Sequence, residues 1–255
     1  RNEYLFIENH SLIKEFIVKT SLTQGYIWLH GSSFSINGKN IIVLGSKGAG
    51  KTTWLMTALH LCGALFICND QIPVYLKNNY KLVTYKWRMD IKVSPETLEF
   101  LRIYSGKEKC DRYLLFPEKR QLMAFDIEGL SKLTNSIILP LYNYFVPCAK
   151  NYEHTIDAVI CLDKSFEGFK LLSKADIQKF WDHYYKDNEV ITPLKYSRWN
   201  KEIPYWNKRI TNLPLSPEAI QVGKKILCTA LDELPFYGSN NRLSVDRIKE
   251  ILTKI

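Results

Sequence analysis

The chain has 255 residues, 46% of them apolar, enough to build a full hydrophobic core. Its 35 Lys and Arg against 26 Asp and Glu give a net charge of +9 and favour an acidic or polyanionic partner such as a nucleotide, a nucleic acid or an acidic peptide. No apolar run approaches the roughly 18 residues of a membrane-spanning helix, so a globular protein of the cytoplasm is the expectation.

In chain order, residues 1–25 read as an N-terminal flank. Residues 26–44 read as two strands joined at Asn37-Gly38, a dipeptide suited to the positive φ angles of a type I′ turn. A two-residue turn sets the register, pairing Ile36 with Lys39, Phe34 with Ile41 and Ser32 with Val43, and bringing His30 beside Gly45. Residues from Lys51 to about Cys62 suit a helix ended by Gly63, and Ala64 to Cys68 follows as a short buried strand.

Further strands are expected at Lys81–Trp87, Gln121–Phe125, Ser136–Tyr142 and Ala158–Leu162. Ser94-Pro95-Glu96 and Ser216-Pro217-Glu218 each announce a helix with a cap, a first-turn proline and a dipole-matching acid. A helix over Lys174–Lys186 aligns Ile177, Phe180, Trp181 and Tyr184 on one face, a stripe read as core. Three prolines make Thr192–Pro214 an irregular excursion, and Ser244 caps a last helix from Val245 to Ile255. The fold class is α/β. Residues 26–191 form the core, and 192–255 supply the basic, aromatic excursion and C-terminal helices packed on the same domain. The six cysteines have no metal-ligand spacing and read as reduced thiols.

The chemistry concentrates between the first strand and the end of ALFIC. Gly45-Ser46-Lys47-Gly48-Ala49-Gly50-Lys51-Thr52 fits the phosphate-loop pattern and stands between a strand and a helix, as its mechanism requires. Its glycines let N–H groups converge on phosphate oxygens, Lys51 reaches the β and γ phosphates, and the Thr52 hydroxyl faces Mg²⁺. Thr53 completes the nucleotide-binding set. His30 can reach a transferring phosphoryl group or its acceptor. It equally fits a strand histidine bonded within the sheet. Asn69-Asp70 emerges where strand ALFIC returns toward the loop, and an acid there can hold Mg²⁺ or take an acceptor's proton; an ordinary turn is the alternative.

The order LHGSS, NG, IIVLGSKGAGKTT, LHLCGALFICND resembles the kinase core of HPr kinase/phosphorylase, and particularly the short relatives that tailor peptides, including lasso-peptide kinases. The resemblance covers about Trp28 to Asp70. It implies a PEP-carboxykinase-like P-loop core with a mixed sheet and flanking helices, ATP and Mg²⁺ as cofactors, and transfer of the γ-phosphoryl group to a hydroxyl. The acceptor class is a serine of a peptide or protein, with a small-molecule alcohol as the closest variant. It makes His30 a catalytic or phosphoryl-orienting residue, Asp70 the second acid of a pair and, with Thr52, a metal ligand. Asn69 departs from the family, because an amide cannot take a proton where the first acid is the favoured base.

Two other readings compete. Asp126-Ile127-Glu128-Gly129 matches the D-x-x-G of GTPases, and AVICLD ends in Asp163, so a nucleotide switch or ATPase would use Asp126 or Asp163 as its metal acid. The stretch from Lys195 to Arg209 interleaves cations with aromatic rings, as single-strand binders do, though a basic flank packed on the core is the plainer reading and nucleic acid is not the expected partner. His60, His154 and His183 read as structural. Homo-oligomerisation is left open.

Overall fold

The computed structural model describes residues 17, 20, 21, 24, 26–77, 81–87, 91–93, 137–139, 148–187, 234–240 and 243–255. Among them are twelve strands and three helices. Strands β1 (Ile27–Leu29), β2 (Gly31–Ile36) and β3 (Lys39–Gly45) lead through a loop to helix α1 (Lys51–Leu61). Then come β4 (Leu65–Asn69), β5 (Ile72–Lys77), β6 (Lys81–Tyr85), β7 (Ile91–Val93), β8 (Ile137–Leu139), β9 (Glu153–Thr155), β10 (Ala158–Leu162) and β11 (Phe169–Leu171). Helix α2 (Lys174–Asp187), strand β12 (Phe236–Ser239) and helix α3 (Val245–Lys254) complete the set.

The hairpin forms in the expected register. Asn37 and Gly38 both take positive φ, 51° and 76°, so the turn twists with the strands it joins. The β2–β3 ladder runs from Ile36 opposite Lys39 to Gly31 opposite Leu44. His30 lies just beyond it, because the chain changes sheets there: β1 pairs with β5, whereas β2 pairs with β3 and β4.

The six-stranded sheet has the order β11-β12-β10-β3-β2-β4 and is mixed, with β3, β10 and β12 parallel and β2 and β11 reversed. Alternation along the central strands gives it two apolar faces. Phe34, Ile41, Val43, Ile160 and Leu162 pack with Trp54, Leu55 and Ala58 of α1 and with Ile248, Ile251 and Leu252 of α3. Ile42, Leu44, Val159 and Cys161 face the other way, onto Ile27, Ile72, Val74 and Leu82 of the four-stranded sheet β1-β5-β6-β9 and onto the stripe of α2. Each fully buried large side chain contributes about 1.5–3 kcal/mol, so burial on both faces makes the six-stranded sheet the rigid frame for the loops at its end.

Local signals set the helix limits. Gly63 adopts φ +68° after α1, and the Ala64 N–H reaches back to the Ala58 carbonyl at 3.0 Å. Ser244 accepts from the Arg247 N–H at the start of α3. Ser173 and Asp176 exchange bonds at the start of α2, where the hydroxyl accepts from the Asp176 N–H and the carboxylate accepts from Ser173. The stripe Ile177, Phe180, Trp181, Tyr184 is buried, as its spacing predicts.

Several strands differ from the sequence expectation. Residues 81–87 give a strand to Tyr85 and an isolated bridge at Trp87, and 136–142 contributes Ile137–Leu139. β5, β7, β9, β11 and β12 were not expected; in β5 and β12, Pro73 and Gly238 interrupt the patterns, yet Pro73 pairs opposite Trp28 and Gly238 opposite Cys161. Because β12 lies beside β10 and α3 packs on α1, the described part of 192–255 belongs to the same sheet and core. The expected strand 121–125, both Ser-Pro-Glu helix starts, the excursion 192–214 and the 126–129 motif lie outside the described residues.

Candidate active site around the phosphate loop

β3 ends at Gly45, beside β10, and the close approach explains the residue. A Cβ at Gly45 would stand 2.9 Å from both the Leu162 carbonyl oxygen and the Ala49 Cβ. The loop then turns through Gly48 at φ +77° and Gly50 at φ +93° into α1. The Ala49 methyl is buried, whereas Lys47 and Gly48 are exposed at the tip. No side chain caps the N-terminus of α1 and no acid occupies its first turn, so its leading N–H groups suit an anionic ligand.

Lys51 opens that helix and is buried at 7% exposure. Its ammonium donates to the carbonyls of Gly45 and Ser46 at 2.9 and 2.8 Å, lying along the loop it follows. Burial lowers its pKa from 10.5 to about 8, and the nearby Asp70 carboxylate opposes that shift. Asp70 is thereby coupled electrostatically to the loop lysine.

His30 immediately precedes β2 and Asp70 immediately follows β4, two adjacent antiparallel strands. Ser32 of β2 pairs with Asn69 of β4, and the Asp70 N–H donates to the Gly31 carbonyl at 2.8 Å. Asp70 takes φ +70°, a left-handed conformation that an aspartate tolerates better than most residues. This turn sets one Asp70 carboxylate oxygen 3.6 Å from the His30 Nε2, with both side chains partly open to solvent. The pair has ion-pair geometry when the imidazole is protonated. In either state a carboxylate this close orients the ring and stabilises added positive charge.

Asn69 occupies a different position. It is 3% exposed, and its side-chain oxygen accepts a 2.8 Å bond from the buried Ser32 hydroxyl. It locks β4 to β2 directly beneath the turn that presents Asp70. Thr52 and Thr53 follow Lys51 in the first turn of α1 and are half-buried. Among the described residues no three His, Cys, Asp or Glu side chains form a metal-binding group. Asp70 and Thr52 nevertheless suit Mg²⁺, which takes one or two protein oxygens and completes its shell with phosphate and water.

Asp163 stands just beyond β10, whose Leu162 is in register with Gly45. One of its carboxylate oxygens already accepts from the N–H and hydroxyl of Ser165, both at 2.8 Å. His154 is a sheet residue: it is buried, its Nε2 lies 2.9 Å from the Asn151 carbonyl, and burial lowers its pKa. His183 is exposed on α2, and His60 lies in the last turn of α1.

Sequence reasoning passed over three supports of the site. Gly31 is required by packing, since a Cβ there would meet the Val43 carbonyl oxygen at 2.6 Å. Ser32 holds Asn69. Tyr184, read only as core, donates from its hydroxyl to the His30 carbonyl at 2.9 Å. A tyrosine within a buried aromatic stripe is itself a signal, because its hydroxyl needs a partner.

No family model matches the chain, and no curated protein matches it. Among solved structures, the HPr(Ser) kinase/phosphatase from Coxiella burnetii is similar at TM-score 0.28 and 15% identity, over 57% of this chain and 76% of that chain. No helix among the described residues is long and apolar enough to cross a membrane.

Proposed function

We propose that this chain is an ATP-dependent phosphotransferase of the HPr-kinase-like type, with a PEP-carboxykinase-like core, moving the γ-phosphoryl group to a hydroxyl of a peptide or protein serine. A small-molecule alcohol is the closest variant acceptor. The observation that carries the reading is the approach of His30 and Asp70 to 3.6 Å beside a complete Gly-x-x-x-x-Gly-Lys-Thr loop whose lysine senses the same carboxylate.

The loop N–H groups and the α1 N-terminus bind phosphate oxygens, and Lys51 exchanges its loop carbonyls for the β and γ phosphates. Thr52 and Asp70 hold Mg²⁺, which when bound neutralises phosphate charge during transfer. His30 takes or shares the acceptor proton, and Asp70 steadies the imidazolium that results. Asn69 cannot take a proton as a base would, and its support for this reading is mechanical. Phosphoryl transfer depends chiefly on positioning and charge, so a histidine and one acid suffice.

The nucleotide-switch or ATPase reading keeps one specific support, the register of Asp163 beside the loop strand. Labelled ATP, Mg²⁺ and a panel of serine peptides and alcohols separate the two. Transfer to a hydroxyl acceptor is expected, reduced about 100-fold or more by Asp70→Ala and by His30→Gln, while Asp163→Ala stays within a few-fold of the parent. Survival of turnover in Asp70→Ala with its loss in Asp163→Ala installs the rival.

A further inference from the structure

His30 occupies an awkward place in the backbone. It is the single residue between β1, which belongs to the four-stranded sheet, and β2, which belongs to the six-stranded one. Neither ladder includes it: β1 pairs through Leu29 and β2 begins pairing at Gly31. The chain changes sheets at this residue, and a rotation of its backbone would swing the imidazole away from Asp70. Its carbonyl accepts from far along the chain, from the Tyr184 hydroxyl at 2.9 Å.

Tyr184 is well able to hold that position. It is 2% exposed, and its ring lies among Phe180 and Trp181, at centroid distances of 5.6 and 5.4 Å. Trp181 in turn meets Phe236 of β12 edge-on at 6.3 Å. Helix α2 is therefore fixed to the same sheet that carries the phosphate loop, and the hydroxyl reaches the crossing from a rigid base. On the other side, the Asp70 N–H holds the Gly31 carbonyl. The His30–Gly31 peptide is held through its carbonyl by α2, and the next peptide, Gly31–Ser32, by the turn that carries the acid.

We propose that Tyr184 is a positioning residue for His30: its hydroxyl holds the His30 peptide so that the imidazole stays against Asp70. The inference rests on the phosphotransferase reading for its consequence in turnover, while its structural content is independent of it. The contact is made to the His30 carbonyl rather than to the phosphate loop, so nucleotide binding is expected to be independent of it.

Tyr184→Phe removes one oxygen and keeps the ring packing. Isothermal titration with ATP, in the whole protein, is expected to give a dissociation constant within two-fold of the parent. Slow Mg-ATP hydrolysis, with water as acceptor, is expected to fall about ten-fold in kcat with KM unchanged. In a His30→Gln background the same substitution is expected to cost little more, since the group it positions is gone. At fixed pH and without metal, the His30 ring resonances should shift in Tyr184→Phe and stay in place in Ile177→Val, a packing change on the same buried stripe. Unmoved His30 resonances, or a Tyr184→Phe loss that multiplies with that of His30→Gln, overturns the proposal. If the parent neither binds nor turns over ATP, the phosphotransferase reading fails by itself, and the ring resonances still decide the role of Tyr184.

Discussion

Lys51 is the residue whose chemistry most directly couples the fold to a ligand. The unfolded chain would keep its proton up to 10.5, the folded chain only to about 8, so protonation favours unfolding over that interval. The group destabilises the nucleotide-free fold fully below about 8, by on the order of 3 kcal/mol, and this burden fades as pH rises toward 10.5. Bound phosphates reverse the preference by favouring the ammonium. ATP binding without metal is therefore expected to take up protons near pH 8.5 and to weaken as pH rises through that range. Titration calorimetry in two buffers of different ionisation enthalpy measures the uptake directly; identical heats in both would contradict it. Lys51→Met should lose ATP affinity about 100-fold while remaining folded.

The elements that were legible in the sequence are those with a local cause. Asn37-Gly38 fixed a turn and hence a register, and the loop pattern with its flanking strand and helix located α1. The α2 stripe and Ser244 did the same for the later helices. β5 and β12 escaped because their pairing is a tertiary fact: a strand of four residues containing Gly238, or one with Pro73 inside it, carries no period strong enough to read. The candidate site divides along the same line. His30, Lys51 and Asp70 follow from motif and register, whereas Ser32, Gly31 and Tyr184 act through contacts that join β2 to β4, to β3 and to α2.

Gly31 offers the test at this scale. A methyl group there must displace the Val43 carbonyl, with Ile72 and Leu44 side chains also at 2.9 Å. Gly31→Ala should cost about 1–3 kcal/mol in urea denaturation and weaken the His30–Asp70 approach. Gly38→Ala meets open space and pays only for its φ of +76°, so it should destabilise the hairpin without touching turnover. Equal effects of the two on turnover would contradict the division.

At the scale of the molecule, the buried six-stranded sheet delivers everything to one edge. β3 ends in the phosphate loop, β4 ends in Asn69 and Asp70, β10 ends before Asp163, and β2 starts just after His30 on the antiparallel strand between β3 and β4. Apolar packing on both faces holds this arrangement together. The net charge of +9 suits a polyanionic substrate meeting that edge, and screening by salt should slow its encounter more than it alters the bound state.

A crystal structure with Mg²⁺ and a non-hydrolysable ATP analogue tests the central claim most directly. The account predicts the triphosphate along the loop from Gly45 to Thr53, the metal on Thr52 and Asp70, and the His30 ring facing the terminal phosphate. A metal held by Asp163, with the His30 ring directed away from the nucleotide and Asp70 remote from it, would contradict the account.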